Sequence, residues 1–377
     1  MDVKFNHGSQ IHVVRACQND DAHDLLAIAG EHSVQVLQIN GSLCISLASF
    51  HIGCRLTALA WSPRATSPSS TGEWVLELAA AGADFGLHLL TKTPNTEETV
   101  FPFGGGLSGH QGKVNDMSFC GGRSEDSARY VATVSDDKVL MVWDLKPSPS
   151  VSPRVASTSA SPGTEDPSTP PARHQPTAYP VSFPNPLTSI ASHPSTSRDF
   201  LVADCRGSIF VTDWRKDPVA NEQDRWRHSN VIELIEPRAL SDAAAGLPLQ
   251  WSGSVSWRRD TIDIIGAAYG PRFSIWDTAH LYGGKPYATG VSFLEGCDKF
   301  RWCHTFPDYF AISAQSSAKG AVIHVHNVAY PQTQPTVFNI APRPLRVRDF
   351  DFLSAPGIPR LAAAVGREVL VFSIGVD

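Results

Sequence analysis

The chain has 377 residues, of which 42% are hydrophobic and 18% charged, a balance typical of a packed globular protein. No stretch reaches the roughly 18 consecutive apolar residues that a membrane-spanning helix needs. The net charge of −6 comes without a dense basic run, so the composition disfavours a nucleic-acid-binding surface and favours protein partners.

The N-terminal sequence and the cysteines indicate the cellular compartment and the kinds of site to expect. The N-terminal sequence MDVKFNHGSQ lacks the basic start and the apolar core of a signal peptide, so we expect a cytosolic or nuclear protein. The seven cysteines are scattered without a CxxC pair, which disfavours a zinc module or a disulfide framework. We therefore expect reduced, mostly buried thiols, and neither a bound metal nor a cofactor.

Short segments rich in Val, Ile, Leu and aromatic residues, bounded by Gly, Pro, Asp and Asn, follow one another along the chain. In chain order they are IHVVRAC, LLAIAG, SVQVLQI, RLTALAW, WVLELAAAG, RYVATVS, VLMVWDL, DFLVADC, SIFVTDW, DIIGAA, FSIWDT, YFAISA, AVIHVHNV, RLAAAV and EVLVFSI. The pattern predicts an all-β protein. Only LSDAAAGL, from Leu240 to Leu247, suggests a helical turn.

An apolar strand that ends in Trp-Asp or a near relative recurs along the chain. The clear copies are MVWDL at Met141, FVTDW at Phe210 and FSIWDT at Phe273, and the degenerate copies are VQVLQIN, LHLLT, VIHVHNV and VLVFSI. Each copy follows another strand and a turn that contains Gly or Asp. Seven such units predict a seven-bladed β-propeller with four strands in each blade.

Between Lys146 and Pro186 the composition changes, since 11 of 41 residues are Pro and 12 are Ser or Thr. This segment buries too little apolar surface to offset its ordering entropy, so 146–186 is predicted to be a disordered loop inside one propeller domain spanning 1–377. Without this segment the chain has about 48 residues per unit, close to the 40–45 residues of a blade.

The same segment contains four Ser/Thr-Pro steps, at Ser148, Ser152, Ser161 and Thr169, which a proline-directed kinase could phosphorylate. An inert linker is the alternative.

The repeat spacing also locates the blades and the closure of the ring. The third blade is predicted at about Gly109 to Leu145, and the fourth begins at Leu187. The last blade has only the strands LRVRDFDF, PRLAAAV and EVLVFSI before the chain ends. The N-terminal DVKFN, from Asp2 to Asn6, is predicted to supply its missing strand, which would leave no unpaired sheet edge.

The stretch GHQGKVNDMSFCGGRSEDSARYVATVSDDKVLMVWDL resembles the WD40-repeat family in its Gly-His start, its Ser-Asp-Asp turn and its Trp-Asp end. The resemblance implies a buried, hydrogen-bonded structural tetrad of His110, Ser135 (or Thr133), Asp137 and Trp143. A Ser/His/Asp hydrolase site is the rival interpretation, but nothing in the chain resembles G-x-S-x-G or a nucleophile elbow. The tetrad is therefore predicted to be structural.

Other polar clusters carry weaker signals. His324 and His326 alternate on one strand and could face a metal, but a half-exposed outer strand without a third ligand is the simpler interpretation. Two basic groups flanked by aspartates are interpreted as solvated loop charges: Arg258 and Arg259 beside Asp260, and Arg343, Arg346 and Arg348 beside Asp349 and Asp351. The glycine-rich segment from Phe103 to Gly109 lacks the Lys-Ser/Thr of a phosphate loop and is predicted to connect two blades.

The order of the motifs FHIGCRLTALAWSP, LSGHQGKVNDMSF, VATVSDDKVLMVWDL, FLVADCRGSIFVTDW, FSIWD and DKFRWC is similar to that of the small WD-repeat nucleoporins. These belong to the Y-shaped outer-ring scaffold of the nuclear pore. The resemblance implies a non-enzymatic scaffold subunit at the nuclear envelope. It would dock on the large propeller-and-solenoid nucleoporin in the short arm of the Y, and contact other subunits indirectly. The long Pro/Ser/Thr segment suggests a fungal version.

Two alternatives come from other functional classes. A substrate receptor of a cullin ubiquitin ligase usually shows a W-D-x-R ending, whereas the endings here are WDLK, DWRK and WDTA. A propeller enzyme would need carboxylates that converge at the central mouth of the ring, and no paired Asp/Glu spacing nominates them.

The long excursion between two blades, from Arg215 to Trp251, is the candidate docking segment. Its VIELIE run is predicted to be an outer strand, which leaves apolar anchors in a charged surround free to meet another chain. The candidate partner-binding residues are Trp226, Arg238, Leu240 and Leu247. Packing of this loop on its own blade is the alternative.

Overall fold

The strand segments pair in groups of four. The fold is seen in a computed structural model, which describes residues 3–147, 175–215, 231–246 and 251–375. These residues contain 28 β-strands in seven antiparallel, four-stranded sheets, and each sheet is one blade of a β-propeller. The all-β class and the seven blades predicted from the sequence are confirmed.

The blades are described from the inner to the outer strand. Blade 1 has β2 (Val13–Ala16), β3 (Leu25–Ala29), β4 (Ser33–Asn40) and β5 (Leu43–His51). Blade 2 has β6 (Leu56–Trp61), β7 (Leu76–Gly82), β8 (Leu87–Lys92) and β9 (Thr99–Phe103). Blade 3 has β10 (Val114–Phe119), β11 (Tyr130–Ser135), β12 (Val139–Asp144) and β13 (Thr177–Ser182). Blade 4 has β14 (Leu187–Ser192), β15 (Asp199–Asp204), β16 (Ser208–Asp213) and β17 (Val231–Ile235).

The remaining blades follow the same order. Blade 5 has β18 (Ser254–Trp257), β19 (Ile264–Tyr269), β20 (Arg272–Asp277) and β21 (Ala288–Val291). Blade 6 has β22 (Cys297–Trp302), β23 (Tyr309–Ala314), β24 (Ala321–Asn327) and β25 (Thr336–Ala341). Blade 7 has β26 (Val347–Phe352), β27 (Arg360–Val365), β28 (Glu368–Ser373) and, outermost, β1 (Val3–Asn6).

The ring has two faces, which the strand order defines. The inner strands contact one another in the order β2, β6, β10, β14, β18, β22 and β26, and β26 contacts β2 again. In an antiparallel blade, the loops between strands 1 and 2 and between strands 3 and 4 leave the same end. We call this end the 1–2 face. The opposite end, which carries the connections from strand 4 of one blade to strand 1 of the next, is the 4–1 face.

The N-terminal strand closes the ring, as the sequence predicts. β1 runs antiparallel to β28, with Val3 opposite Val371 and Phe5 opposite Val369. The Val3 side chain is buried in a cluster that also holds residues of blade 1. The strand therefore joins the two ends of the described chain and covers the edge of blade 7.

The hydrophobic core lies between neighbouring blades, because the apolar faces of adjacent sheets pack on each other. One cluster joins blades 2 and 3 through Leu87, Phe103, Val114 and Trp143. The second strand of each blade is almost wholly buried, and several are rich in alanine, as in LELAAAG of β7.

All seven cysteines are free thiols, five of them buried, as the sequence predicts.

The structure corrects two predictions about local structure. Residues 177–182 of the predicted disordered loop form β13, which pairs along the whole of β12, so the loop prediction was wrong for this stretch. Residues 148–174 lie outside the described part. The predicted helical turn is part of helix α2 (Pro237–Ala244), which begins earlier than Leu240, while the short helix α1 (Glu125–Arg129) was not predicted. None of the helices within the described ranges is long and apolar enough to cross a membrane.

Candidate interaction surfaces and buried polar networks

A hydrogen-bonded chain links the turns and strands of blade 3. His110 Nδ1 lies 2.8 Å from Asp137 Oδ2, and His110 Nε2 lies 2.8 Å from Thr133 Oγ1. The indole Nε1–H of Trp143 donates to the same Thr133 oxygen at 3.0 Å. The chain thus connects the entry loop of the blade, the β11–β12 turn and two strands.

The hydroxyl in this chain belongs to Thr133, so the choice of Ser135 for the tetrad was wrong. Ser135 ends β11, and its Oγ accepts a hydrogen bond from the Asp137 N–H at 3.2 Å. Residues 133 and 135 both face inward, but only Thr133 lies opposite Met141 in the register, beside Trp143. Ser135 instead caps the turn, in which Lys138 adopts a left-handed conformation with φ of 71°.

The protonation states follow from burial. Burial lowers the pKa of His110, although Asp137 opposes this effect. A neutral imidazole with its proton on Nδ1 can donate to Asp137 and accept from Thr133. The hydroxyls of Thr133 and Ser135 are fully buried, so neither can reach a substrate. The arrangement stabilises the blade and is not a nucleophilic site.

We expect Asp137→Ala to lower the free energy of unfolding by about 1–3 kcal/mol, because the His110 ring and two backbone N–H groups lose their acceptor. Asp136→Ala, on the adjacent exposed residue, is the matched control and should change stability by less than about 0.5 kcal/mol. Chemical denaturation of both variants measures the difference. Equal stability of the two variants would contradict the structural role of Asp137.

His324 and His326 lie on β24, the third strand of blade 6, so their assignment to an outer strand was wrong. The two rings share Ser292 Oγ, which is 3.1 Å from His324 Nδ1 and 3.1 Å from His326 Nε2. Phe293 stacks on His324, and Phe310 stacks on His326. Burial lowers the pKa of His324 to about 4 and that of His326 to about 3. Across the described ranges, no three His, Cys, Asp or Glu side chains group as metal ligands.

An ion network that the sequence did not reveal crosses the central channel. Arg15 of β2 lies 3.0 Å from Asp116 of β10 and also pairs with Asp349 of β26. Asp116 Oδ2 in turn accepts from Ser189 Oγ at 3.1 Å and from the Ile190 N–H at 3.2 Å. The network therefore ties blades 7, 1, 3 and 4 together at the ring axis.

Asp349 and Asp351, which flank the arginines interpreted as solvated loop charges, are themselves buried on β26. Asp349 Oδ2 accepts from the Val14 N–H at 3.0 Å, and Asp351 Oδ2 accepts from the Ala16 N–H at 3.0 Å. Carboxylates thus do converge on the channel, where the sequence nominated none. Each one bonds to the backbone of the neighbouring inner strand, which fastens blade 7 to blade 1.

Arg258 is likewise no simple solvated charge. Its guanidinium binds Asp260 through two hydrogen bonds, at 2.7 and 2.9 Å, and lies 3.1 Å from Asp308 of blade 6. The same group lies over the Trp302 ring, 5.8 Å from its centroid. This side chain joins blades 5 and 6 on the 1–2 face.

The candidate docking segment places α2 on the 4–1 face, between blades 4 and 5. As predicted, VIELIE supplies the outer strand of blade 4, as β17. The Glu236 carboxylate caps the helix by accepting from the Arg238 and Ala239 N–H groups at 2.7 and 3.0 Å. Ala239 packs against Gly207, while Leu240 is 56% exposed. The helix is fixed to the blade and presents Leu240 and Arg238 to solvent.

Several predicted residues cannot be placed. Trp226 and Leu247 lie outside the described residues, as do the four predicted phosphorylation sites, Ser148, Ser152, Ser161 and Thr169. Their roles stay predictions. The fungal origin suggested by the long segment also stays a prediction.

A second exposed apolar surface lies on the 1–2 face of blades 5 and 6 and was missed. Its exposed side chains are Ile262, Tyr282, Tyr287 and Tyr330. Aromatic residues beside Arg258 have the composition of protein interface cores. The tyrosines lie in the loop segments LYGGKPY and NVAYPQ. They were missed in the sequence because loop residues show no periodic pattern that indicates binding.

No protein-family model matches this chain. It is 22% identical over 333 residues to "Nucleoporin Nup37" of Homo sapiens and 21% identical to that of Mus musculus. Each alignment covers 85% of this chain and 83% of the relative.

A solved structure adds support for the fold alone. The crystal structure of Chaetomium thermophilum Raptor matches with a TM-score of 0.66 and 14% identity, over 100% of this chain and 29% of that longer chain. The chain is thus a seven-bladed β-propeller that is similar in sequence to Nup37 over most of its length.

Proposed function

We propose that the chain is a non-enzymatic scaffold subunit of the nuclear pore complex, located at the nuclear envelope and contributing to pore assembly and to transport. The observation that carries this proposal is the extent of the similarity, which runs along 85% of the chain and 83% of the Nup37 sequences. A match of this extent reflects most of the propeller and cannot arise from one shared motif.

The polar networks support a structural role. The hydroxyl next to His110 is buried, and the channel carboxylates bind backbone N–H groups and Arg15. A catalytic acid or base needs a free position beside a substrate. These groups are committed to holding blades together, so the surface of the ring is left to carry the function.

The proposed partner is the large propeller-and-solenoid nucleoporin in the short arm of the Y-shaped scaffold, with the other Y-complex subunits contacted indirectly. We place the contact on the 4–1 face at α2, where Leu240 and Arg238 project from a helix anchored by Ala239 and the Glu236 cap. A rigidly held aliphatic side chain with an arginine neighbour provides an interface anchor at low entropic cost.

Leu240→Asp is expected to weaken binding to that nucleoporin by at least about tenfold, because it places a charge in the apolar core of the contact. Leu107→Asp is the matched control, since Leu107 is fully exposed on the same face between blades 2 and 3. The measurement is pull-down of the purified partner by each variant, after circular dichroism and thermal melting show that both are folded.

The possible results test the docking site at α2 and the identity of the partner separately. Loss of binding with Leu240→Asp alone supports docking at α2. Equal binding by both variants moves the contact off this helix. No binding by the wild-type chain contradicts the proposed partner.

A further inference from the structure

The central channel opens on the 1–2 face into a cavity of about 260 Å³. Inner strands and 1–2 loops of all seven blades contribute to its wall. At about 30 Å³ for each water molecule, the space holds a polyatomic ion together with several waters. The cavity lies at the ring axis, away from the helix α2 on the opposite face.

Two arginines and one histidine line the cavity, and each has few acceptors for its nitrogen atoms among the described residues. Arg259 donates one hydrogen bond, to the Gln18 carbonyl at 3.3 Å. Arg301 donates to its own neighbour, the Phe300 carbonyl, at 3.0 Å, and its other terminal nitrogen stays 3.8 Å from Asp349. Most of the ten N–H donors of these two guanidinium groups are thus left without a protein acceptor in the described structure.

His304 lines the same cavity, near both arginines. Its buried Nδ1 has no hydrogen-bond partner among the residues that the structure describes. Burial lowers the pKa of His304 well below its ordinary value, and the nearby charges of Arg259 and Arg301 lower it further. The charges of both arginines therefore reach the imidazole, while Asp351 attracts Arg259 and Asp349 lies 3.8 Å from Arg301.

The two carboxylates that also line the cavity are already satisfied. Asp116 binds Arg15 and receives hydrogen bonds from blade 4. Asp351 accepts from the Ala16 N–H and from the Phe352 N–H, each at 3.0 Å. Among the described residues, no hydrogen bond joins either carboxylate to Arg259 or Arg301, although Asp351 attracts both arginines electrostatically.

We propose that this cavity binds a compact tetrahedral oxyanion, of which inorganic phosphate is the representative, through Arg259, Arg301 and His304. Planar guanidinium groups bind oxyanions through paired N–H donors, and a partly enclosed site strengthens each such bond. The bound anion satisfies donors from blades 5 and 6 at once. It therefore adds to the closure of the ring and is independent of the docking surface at α2.

The test is isothermal titration calorimetry of the full chain with sodium phosphate, at neutral pH and at an ionic strength held constant with sodium chloride. The wild type is expected to show saturable binding of one anion per chain. Arg259→Gln is expected to weaken it at least about tenfold, because a charge-assisted pair is lost. Arg123→Gln is the matched control, since that exposed arginine on the same face pairs with Asp20.

Two further measurements distinguish specific phosphate binding from a general effect of salt on the charged residues. Thermal melting should show phosphate raising the melting temperature of the wild type and of Arg123→Gln, but not of Arg259→Gln. An added arm titrates O-phosphoserine. Weaker binding than phosphate supports a free anion, whereas tighter binding assigns the phosphoryl group to a modified side chain and overturns the choice of free phosphate. The proposal is overturned entirely if the wild type shows no saturable binding, or if Arg259→Gln binds as the control does.

Discussion

Replacing Arg15 with methionine is expected to lower the free energy of unfolding by about 3–5 kcal/mol, the usual cost of leaving buried charges unpaired. The side chain is only 14% exposed and binds Asp116 and Asp349 at once. Arg15→Met keeps much of the side-chain volume but leaves the carboxylates of Asp116 and Asp349 without their arginine partner at the ring axis. Urea denaturation measures the loss.

The pH dependence of this effect distinguishes lost charge pairing from lost packing. Burial raises the pKa of Asp116, but Arg15, Arg301 and Lys299 together hold it below its ordinary value. Its stabilising contribution is therefore present above the unfolded pKa of about 4 and is lost as the pH falls through the folded value. In Arg15→Met the Asp116 pKa rises, so the carboxylate protonates sooner on acidification. The stability gap between variant and wild type should narrow towards pH ~4.

Arg123→Met is the control, because its pair with Asp20 is highly exposed and should contribute nothing measurable. A destabilisation by Arg15→Met that equals that of Arg123→Met would contradict the network. A gap that stays constant with pH would assign the loss to packing.

Deleting residues 1–6 is expected to lower the free energy of unfolding by about 2–5 kcal/mol, because the buried Val3 and the β1–β28 hydrogen bonds are lost together. The deletion also exposes the edge of β28, so the variant should self-associate as concentration rises. Differential scanning calorimetry and sedimentation at several concentrations measure the two effects.

Lys4→Gln is the matched substitution within the same strand. It removes only the partly exposed pair with Glu368 and should shift stability by less than about 0.5 kcal/mol. A deletion variant that melts at the wild-type temperature and stays monomeric would contradict closure by β1.

The sequence predicts the ring because its strongest signals are periodic. Apolar strands that end in Trp-Asp repeat at a nearly constant interval, and the last unit lacks one strand that DVKFN can supply. These features follow from burial of sheet faces, which every blade must satisfy. The predicted starts of β1 and β14 agree with the structure to within a residue.

Side-chain pairing could not be predicted in the same way, because it depends on register. Thr133 and Ser135 lie on the same face of β11, and only the alignment with Met141 and Trp143 on β12 selects Thr133. Similarly, the strand LRVRDFDF was predicted, but the contacts of Asp349 and Asp351 emerge only when β26 is placed beside β2. A carboxylate that accepts backbone N–H groups from another blade leaves no local pattern.

At β13 the local composition did not indicate the strand that forms there. The strand TAYPVS contains proline and follows a long Pro/Ser/Thr-rich segment, so its polar character favoured a loop. As the outer strand of blade 3, it pairs on one edge only and can accommodate Pro180. Outer strands need fewer apolar residues than inner ones, so composition marks them poorly.

The most direct test of the central claim is purification of the tagged, full-length chain from its own cells, with identification of the partners that co-purify at equal stoichiometry. We expect to recover the large propeller-and-solenoid nucleoporin and the remaining subunits of the Y-shaped scaffold. Recovery of cullin ligase subunits instead, or of no nuclear pore protein at all, would contradict this claim.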